Sequence, residues 1–283
     1  MRPTRQRLSG LYQIIISEKN NFMEVHAHSH TERKKWTHYF WEFLMLFLAV
    51  FCGFLAEYQL EHKIEKDRAK ELARSLYEEL QQDSVNMSVR LKNRVRQEAS
   101  LKWLMKYFKD SSLTNVSKSF SIHFLYGIYF RTPSLFEART VLLDQLKNSG
   151  SLRYFKNMNL QKLVGELSVA IALINDRQEL ETQVRAQWIN PFIVSHYDYN
   201  FNETITQDGQ LLFSVAVDRY EKSNEIIPFQ FKNPDQLDRE NTINALGLYG
   251  ISAIRATRQQ HFQRYIDLNS ELLNELRKEY HLK

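Results

Sequence analysis

The 283-residue sequence predicts a mainly α protein: one N-terminal transmembrane helix that continues into a long helical stalk and an extracytoplasmic helical bundle. Three observations carry that expectation. Phe43 to Ala56 reads FLMLFLAVFCGFLA, fourteen residues without a charge or a strongly polar group. Residues 57–110 contain neither Gly nor Pro. The whole chain has only 8 Gly and 5 Pro, too few breakers for a sandwich built on many tight turns.

The anchor comes first. Extended through Tyr39, Phe40 and Trp41, the apolar stretch reaches eighteen residues with Glu42 as its only charge. A spanning helix needs about 20 largely apolar residues, so this one lies at the short end of the range. Trp36, Tyr39 and Trp41 on one side and Tyr58 on the other are placed as an interfacial aromatic belt, with Phe43 and Phe54 inside it. Glu42 falls near the first interface, where a carboxylate costs less than at mid-depth. A core helix of a soluble protein explains the length, but less well an apolar surface that runs all round the helix. A cleaved signal peptide lacks its small residues, since Phe51 stands both at the Ala49-Val50-Phe51 position and just before Cys52. Cys52 then reads as a small apolar residue in lipid.

Orientation is set by the basic residues. Arg33, Lys34 and Lys35 abut the anchor, whereas Glu57, Glu61, Glu65 and Asp67 dilute the cations beyond it. The expected layout is a cytoplasmic head (1–35), a transmembrane helix (36–60), a helical stalk (61–110) and an extracytoplasmic helical domain (111–283). The expected location is the inner (plasma) membrane, N-terminus cytoplasmic and C-terminal domain periplasmic. Residues 1–22 differ in character from the stretch that begins at Met23, and Met23 is the alternative start to Met1.

Beyond the anchor, Leu72, Leu76, Leu80, Met87, Leu91 and Val95 recur close to a 3.6-residue period. The helix is therefore expected to run unbroken from about residue 36 to about 108, on the order of 110 Å at 1.5 Å per residue. Its stripe predicts coiled-coil-like packing on this chain or on a second copy. Residues 111–131 read as a connector with aromatic residues from Phe120 to Phe130. Ser134-Leu135-Phe136-Glu137 fits a capping box behind Pro133, so a helix is expected from there to Asn148-Ser149-Gly150. Asn157 or Asn159 caps the next helix, which carries Leu163, Leu167, Ile171 and Ile174 and ends before Pro191. Residues 192–235 are less regular; Asp208-Gly209 is a turn, and Leu211 to Val217 fits a strand or a short helix equally. Tyr197, Tyr199 and Phe201 alternate as a half-buried strand or loop would, and are candidates to line a pocket. Asn233-Pro234 opens the last helical region, where Gly247 and Gly250 are candidate breaks and Ile251, Ile254, Phe262, Tyr265, Leu272 and Leu276 form a stripe.

The stretch MEVHAHSHTERKKWTHYFWEFLMLFLAVFCGFLAEYQLEH, Met23 to His62, resembles the opening of an uncharacterised family of single-pass membrane proteins common in Bacteroidota. Ser134 to Leu160, with LLDQLKNSGSLRYFKNMNL, is similar to an element of their outer region. The resemblance implies location and architecture; it implies no activity and no catalytic residue.

Chemistry-bearing patterns are few. His26, His28 and His30 form H-x-H-x-H, which in an extended strand puts three imidazoles on one side for a zinc, nickel or copper ion. The plainer reading is a polar head, because no Cys supports them and no second layer orients them. One Cys excludes a disulfide framework and a multi-cysteine metal site. With 38 basic and 33 acidic residues interspersed, no nucleic-acid footprint emerges. No G-x-G-x-x-G, Walker loop, G-x-S-x-G or H-E-x-x-H occurs. Glu78-Glu79 and Glu179/Glu181 read as solvated helix faces, and His123, His196 and His261 as separate structural residues. The expectation is a non-enzymatic scaffold or interaction module of the cell envelope, with no cofactor. Its expected partners are the lipid bilayer and either a second copy or an envelope protein. The alternatives are an extracytoplasmic ligand sensor working through a separate partner and a metal-handling protein using the His-rich head.

Overall fold

The computed structural model describes residues 35–131 and 134–282, and among them every regular element is helical. The mainly α class is therefore observed. The chain divides into two units, Met1–Gln59 and Leu60–Lys283, and helix α1, Trp36–Asp110, has residues in both. The absence of Gly and Pro from 57 to 110 is what lets one hydrogen-bond ladder run that far.

In the first unit, the described residues are the start of α1. Every residue from Trp36 to Gln59 is exposed apart from half-buried Leu44. Phe43, Phe47 and Phe51 stack at i,i+4 spacing, with ring centroids 6.2 and 5.9 Å apart.

The second unit gathers the rest of α1 with α2 (Lys118–Phe124), α3 (Val141–Asn148), α4 (Met158–Val184), α5 (Asn190–His196), α6 (Tyr199–Thr206), α7 (Phe213–Lys222), α8 (Arg239–Gly247) and α9 (Gln263–Tyr280). Residues 125–129, 185–189, 248–255 and 257–262 continue neighbouring helices with the wider i→i+5 turn of a π-helix. Asn157 caps α4 by accepting from the Asn159 and Leu160 amides. Gly150, at φ 70°, ends the α3 region as expected.

The sequence expectations fail at definite places. The capping box at Ser134 starts no helix. Residues 135–140 are non-helical and are held by side chains of other helices. Gln178 accepts from the Phe136 amide at 2.8 Å and donates to its carbonyl at 2.8 Å, while Asp83 accepts from the Arg139 amide at 2.9 Å. Helix α3 begins only at Val141, where Glu79 accepts from the Leu142 amide at 3.3 Å in place of a local cap. The 111–131 connector contains α2, capped by Ser117. The helix expected to stop before Pro191 passes through the π-turn, and Pro191 opens α5 in its first turn, where a missing N–H costs nothing. Of Leu211 to Val217, Phe213 onward is helix, the start of α7; Leu211 and Leu212 precede it. Tyr197 is the C-cap of α5, and Tyr199 and Phe201 lie in the first turn of α6, with Tyr197 and Phe201 buried and Tyr199 exposed. Gly247 and Gly250 break nothing; Gly250 lets the helix approach Leu101, whose Cδ1 would stand 3.1 Å from an added Cβ.

Two apolar cores fill this unit. The first joins Leu76, Leu80 and Met87 of α1 to Leu163, Leu167 and Ile174 of α4 and to Leu272 and Leu276 of α9. The second joins Leu101, Leu104 and Phe108 of α1 to Phe120, Phe124, Phe201, Phe229 and Phe231. Each buried Leu or Phe contributes about 2 kcal/mol. The stripe expected to pack on this chain or on a second copy is covered within one chain at Leu76, Leu80 and Met87. Val95 is half exposed, and Ile251 also faces solvent.

Candidate functional site

The inward face of α1 explains what lies between the cores. Its buried positions fall at seven-residue intervals: Ala73, Leu80, Met87, Arg94, Leu101 and Phe108, joined by Leu76, Asp83, Gln97 and Leu104. That spacing keeps one seam against its neighbours. A scan for apolar residues turns instead to Leu91 and Val95; the helix buries Arg94.

Arg94 has no exposed surface. Its guanidinium donates to both Glu181 carboxylate oxygens at 2.8 and 2.9 Å, to the Ser134 carbonyl at 2.9 Å and to the Ile254 carbonyl at 3.3 Å. It also lies 4.3 Å from the Phe262 ring centroid. Beside it, Arg258 donates to Glu98 at 2.9 Å, and Arg185 donates to the Ile128 and Tyr129 carbonyls at 2.7 and 2.9 Å. Arg94 and Arg185 thus reach backbone carbonyls within π-helical stretches. Glu181, expected on a solvated face, is one half of a buried ion pair, and Glu79 is half-buried against α3. No apolar pattern announces such residues.

Burial raises the Asp83 carboxyl above its ordinary value, against hydrogen bonds from the Arg139 amide and the Tyr265 hydroxyl that lower it. Burial also raises Glu79. His123 stacks on Trp103 at 4.4 Å between ring centroids, and burial followed by nearby Arg96 lowers its pKa. His261 is lowered by burial and by Arg177 and Arg264. His123, His196 and His261 stand in three separate surroundings, as expected.

His196 is the one that opens on a cleft. It is 7% exposed, and its ring lies on Phe231 at 4.9 Å with 6° between planes. Its Nδ1 is 2.8 Å from the Lys232 carbonyl, which can only accept, so Nδ1 carries the proton. Nε2 is left as the ring's other polar atom; it meets no partner among the described residues and is not sealed from solvent. The cleft measures about 330 Å³ and is walled by Trp188, Ile189, Phe192, Leu237 and Leu246, with His196, Asp238 and Asn241 among its polar groups. The π-turn at 185–189 brings Trp188 to it. The sequence pattern points to Tyr197, Tyr199 and Phe201 as the residues that would line a pocket beside His196; none of the three lines this one.

The anchor residues Trp36, Tyr39, Trp41, Phe43, Phe54 and Tyr58 are all exposed. Helix α1 is long and apolar enough to cross a membrane. Its best eighteen-residue window has mean hydropathy 2.0 with none of it buried, unlike the core helix of a soluble protein. Glu42 is paired with His38 at 2.9 Å. Lys35 is exposed, whereas His26, His28, His30, Arg33 and Lys34 lie outside the described residues. Among the described residues no three His, Cys, Asp or Glu side chains are grouped to hold a metal.

These features define a mainly helical protein with, among the described residues, one helix that is a candidate to span a membrane. Comparison with protein-family models, with curated proteins and with solved structures gives no match.

Proposed function

We propose that this chain is a membrane-anchored, non-enzymatic scaffold or interaction module of the cell envelope, similar to the single-pass Bacteroidota family its opening resembles. The observation that carries the proposal is the apolar stretch of α1, none of it buried, which belongs to the same helix as the core-forming segment of the second unit. So large an apolar surface is unfavourable in water, and a bilayer removes it. The pairing of buried charges with one another, as in Arg94–Glu181, supports a role in holding helices rather than in chemistry. The basic triplet Arg33-Lys34-Lys35 supports an inner-membrane placement with the N-terminus cytoplasmic and the large unit periplasmic.

The test uses the full chain with a C-terminal tag in its native membrane. Alkaline carbonate washing should leave it in the membrane pellet. Protease added outside spheroplasts should remove the tag, and cross-linking should capture a stoichiometric protein partner. Release by carbonate sinks the anchor, a protected tag sinks the orientation, and a chain that cross-links to nothing sinks the scaffold reading.

A further inference from the structure

The cleft beside α5 has a chemistry that the scaffold reading does not use. Its walls mix apolar and aromatic side chains with the neutral polar Gln187, Ser195, Asn241 and Thr242. Its two strongest polar groups both accept: the Nε2 lone pair of His196, and the Asp238 carboxylate, whose Oδ1 takes the Asn241 amide at 3.0 Å and whose Oδ2 has no hydrogen bond among the described residues. Among the described residues no Lys or Arg lines the cleft. Two cations close by in the chain are engaged elsewhere: Arg239 donates to the Phe108 and Ser111 carbonyls at 2.7 and 3.0 Å, and Lys232 lies 3.4 Å from Asp198. A site with a negative charge, a spare acceptor and an indole wall suits a ligand with a cationic donor at one end and an apolar body at the other. Its volume of about 330 Å³ is at the small end of the range for ligand pockets.

We propose that this cleft binds a small primary amine with an aromatic or other apolar body, its ammonium held between Asp238 and His196 Nε2 and its body against Trp188 and Phe192. His196 is nine-tenths buried, and the Lys232 carbonyl holds its Nδ1–H, so Nε2 is the ring nitrogen left to face a ligand. A ligand that lacked the donor would leave Nε2 unpaired.

The experiment is calorimetric titration of the full chain in lipid nanodiscs with phenethylamine, phenethyl alcohol and phenylacetate, three molecules that differ mainly in the charged end. Phenethylamine should bind at least about tenfold more tightly than the other two, the ratio expected for one charge-assisted hydrogen bond. Asp238→Asn, which keeps an oxygen to cap α8, should abolish that preference. His196→Asn, which keeps a donor for the Lys232 carbonyl and removes Nε2, should weaken phenethylamine about tenfold in protein that keeps the wild-type helical circular dichroism. Equal binding of all three probes, preference for the alcohol or the acid, or no heat with any of them overturns the proposal. So does an amine preference that survives Asp238→Asn, a variant at the lip of the cleft that leaves the core intact.

Discussion

Replacing Arg94 by Met gives the sharpest test of how the second unit is held together. Arg94 makes four hydrogen bonds, two of them to Glu181, with no exposed surface of its own. Met fills similar volume but leaves the 5%-exposed Glu181 carboxylate without its cation and the Ser134 and Ile254 carbonyls without a donor. Removing one partner of a buried pair costs about 3–5 kcal/mol. For a unit of this size each kcal/mol lowers Tm by about 2–4 °C, so Tm should fall by about 6–20 °C. Adding Glu181→Leu removes the stranded charge, and the double variant should recover a large part of the loss. The assay is thermal unfolding of the full chain in detergent, followed by the loss of helical circular dichroism. A single variant within about 2 °C of the wild type, or a double variant less stable than the single by the full cost again, would refute the reasoning that the two charges are jointly buried.

Three further outcomes are expected. Asp83 and Glu79 have carboxyl pKa values raised by burial, so the native state holds protons that the unfolded chain has released. Their contribution is greatest below the ordinary carboxylate range and is lost as pH rises through the raised values. Asp83→Asn should flatten that decline in a series of denaturant melts at mildly acid pH, and an unaltered slope would remove Asp83 as its source. Gly127→Ala would put a Cβ 3.2 Å from the Leu101 backbone nitrogen and 3.3 Å from the Ser100 carbonyl carbon, so it should destabilise by about 1–3 kcal/mol in urea unfolding. Gly165→Ala, inside α4 with nothing within 4 Å of its Cβ, should stabilise by about 0.5–1 kcal/mol in the same assay. Effects of the same sign at both glycines would contradict the packing described around Gly127.

The anchor and the long helix are legible in the sequence because they rest on strong local signals: an apolar run and a stretch without Gly or Pro. The caps at Asn157 and Gly150 are legible for the same reason, since each acts within its own turn. The Ser134 capping box misleads because its local geometry loses to distant partners; Gln178, Asp83 and Glu79 bind the 136–142 backbone instead. Val95 is a false member of the α1 seam because a scan for apolar residues cannot see that Arg94 continues the seven-residue spacing. The burial of Arg94 depends on Glu181, far away in the chain. The π-turns shift side-chain phase and so turn Ile251 outward, against the 3.6-residue expectation. The histidine of the cleft is visible in the sequence only as one of three scattered imidazoles. What singles it out is the Lys232 carbonyl, a contact no spacing rule predicts.

The central claim is that residues from Trp36 to Tyr58 lie in a bilayer. The chain contains one cysteine, Cys52, and it is exposed on the apolar stretch of α1. The most direct measurement is labelling of the native chain with a membrane-impermeant maleimide, in sealed right-side-out and inverted vesicles and after dissolution in denaturing detergent. With Cys52 in lipid, no labelling is expected from either side of the sealed membrane and full labelling once the bilayer is gone. Ready labelling of Cys52 from either face of an intact membrane would contradict it.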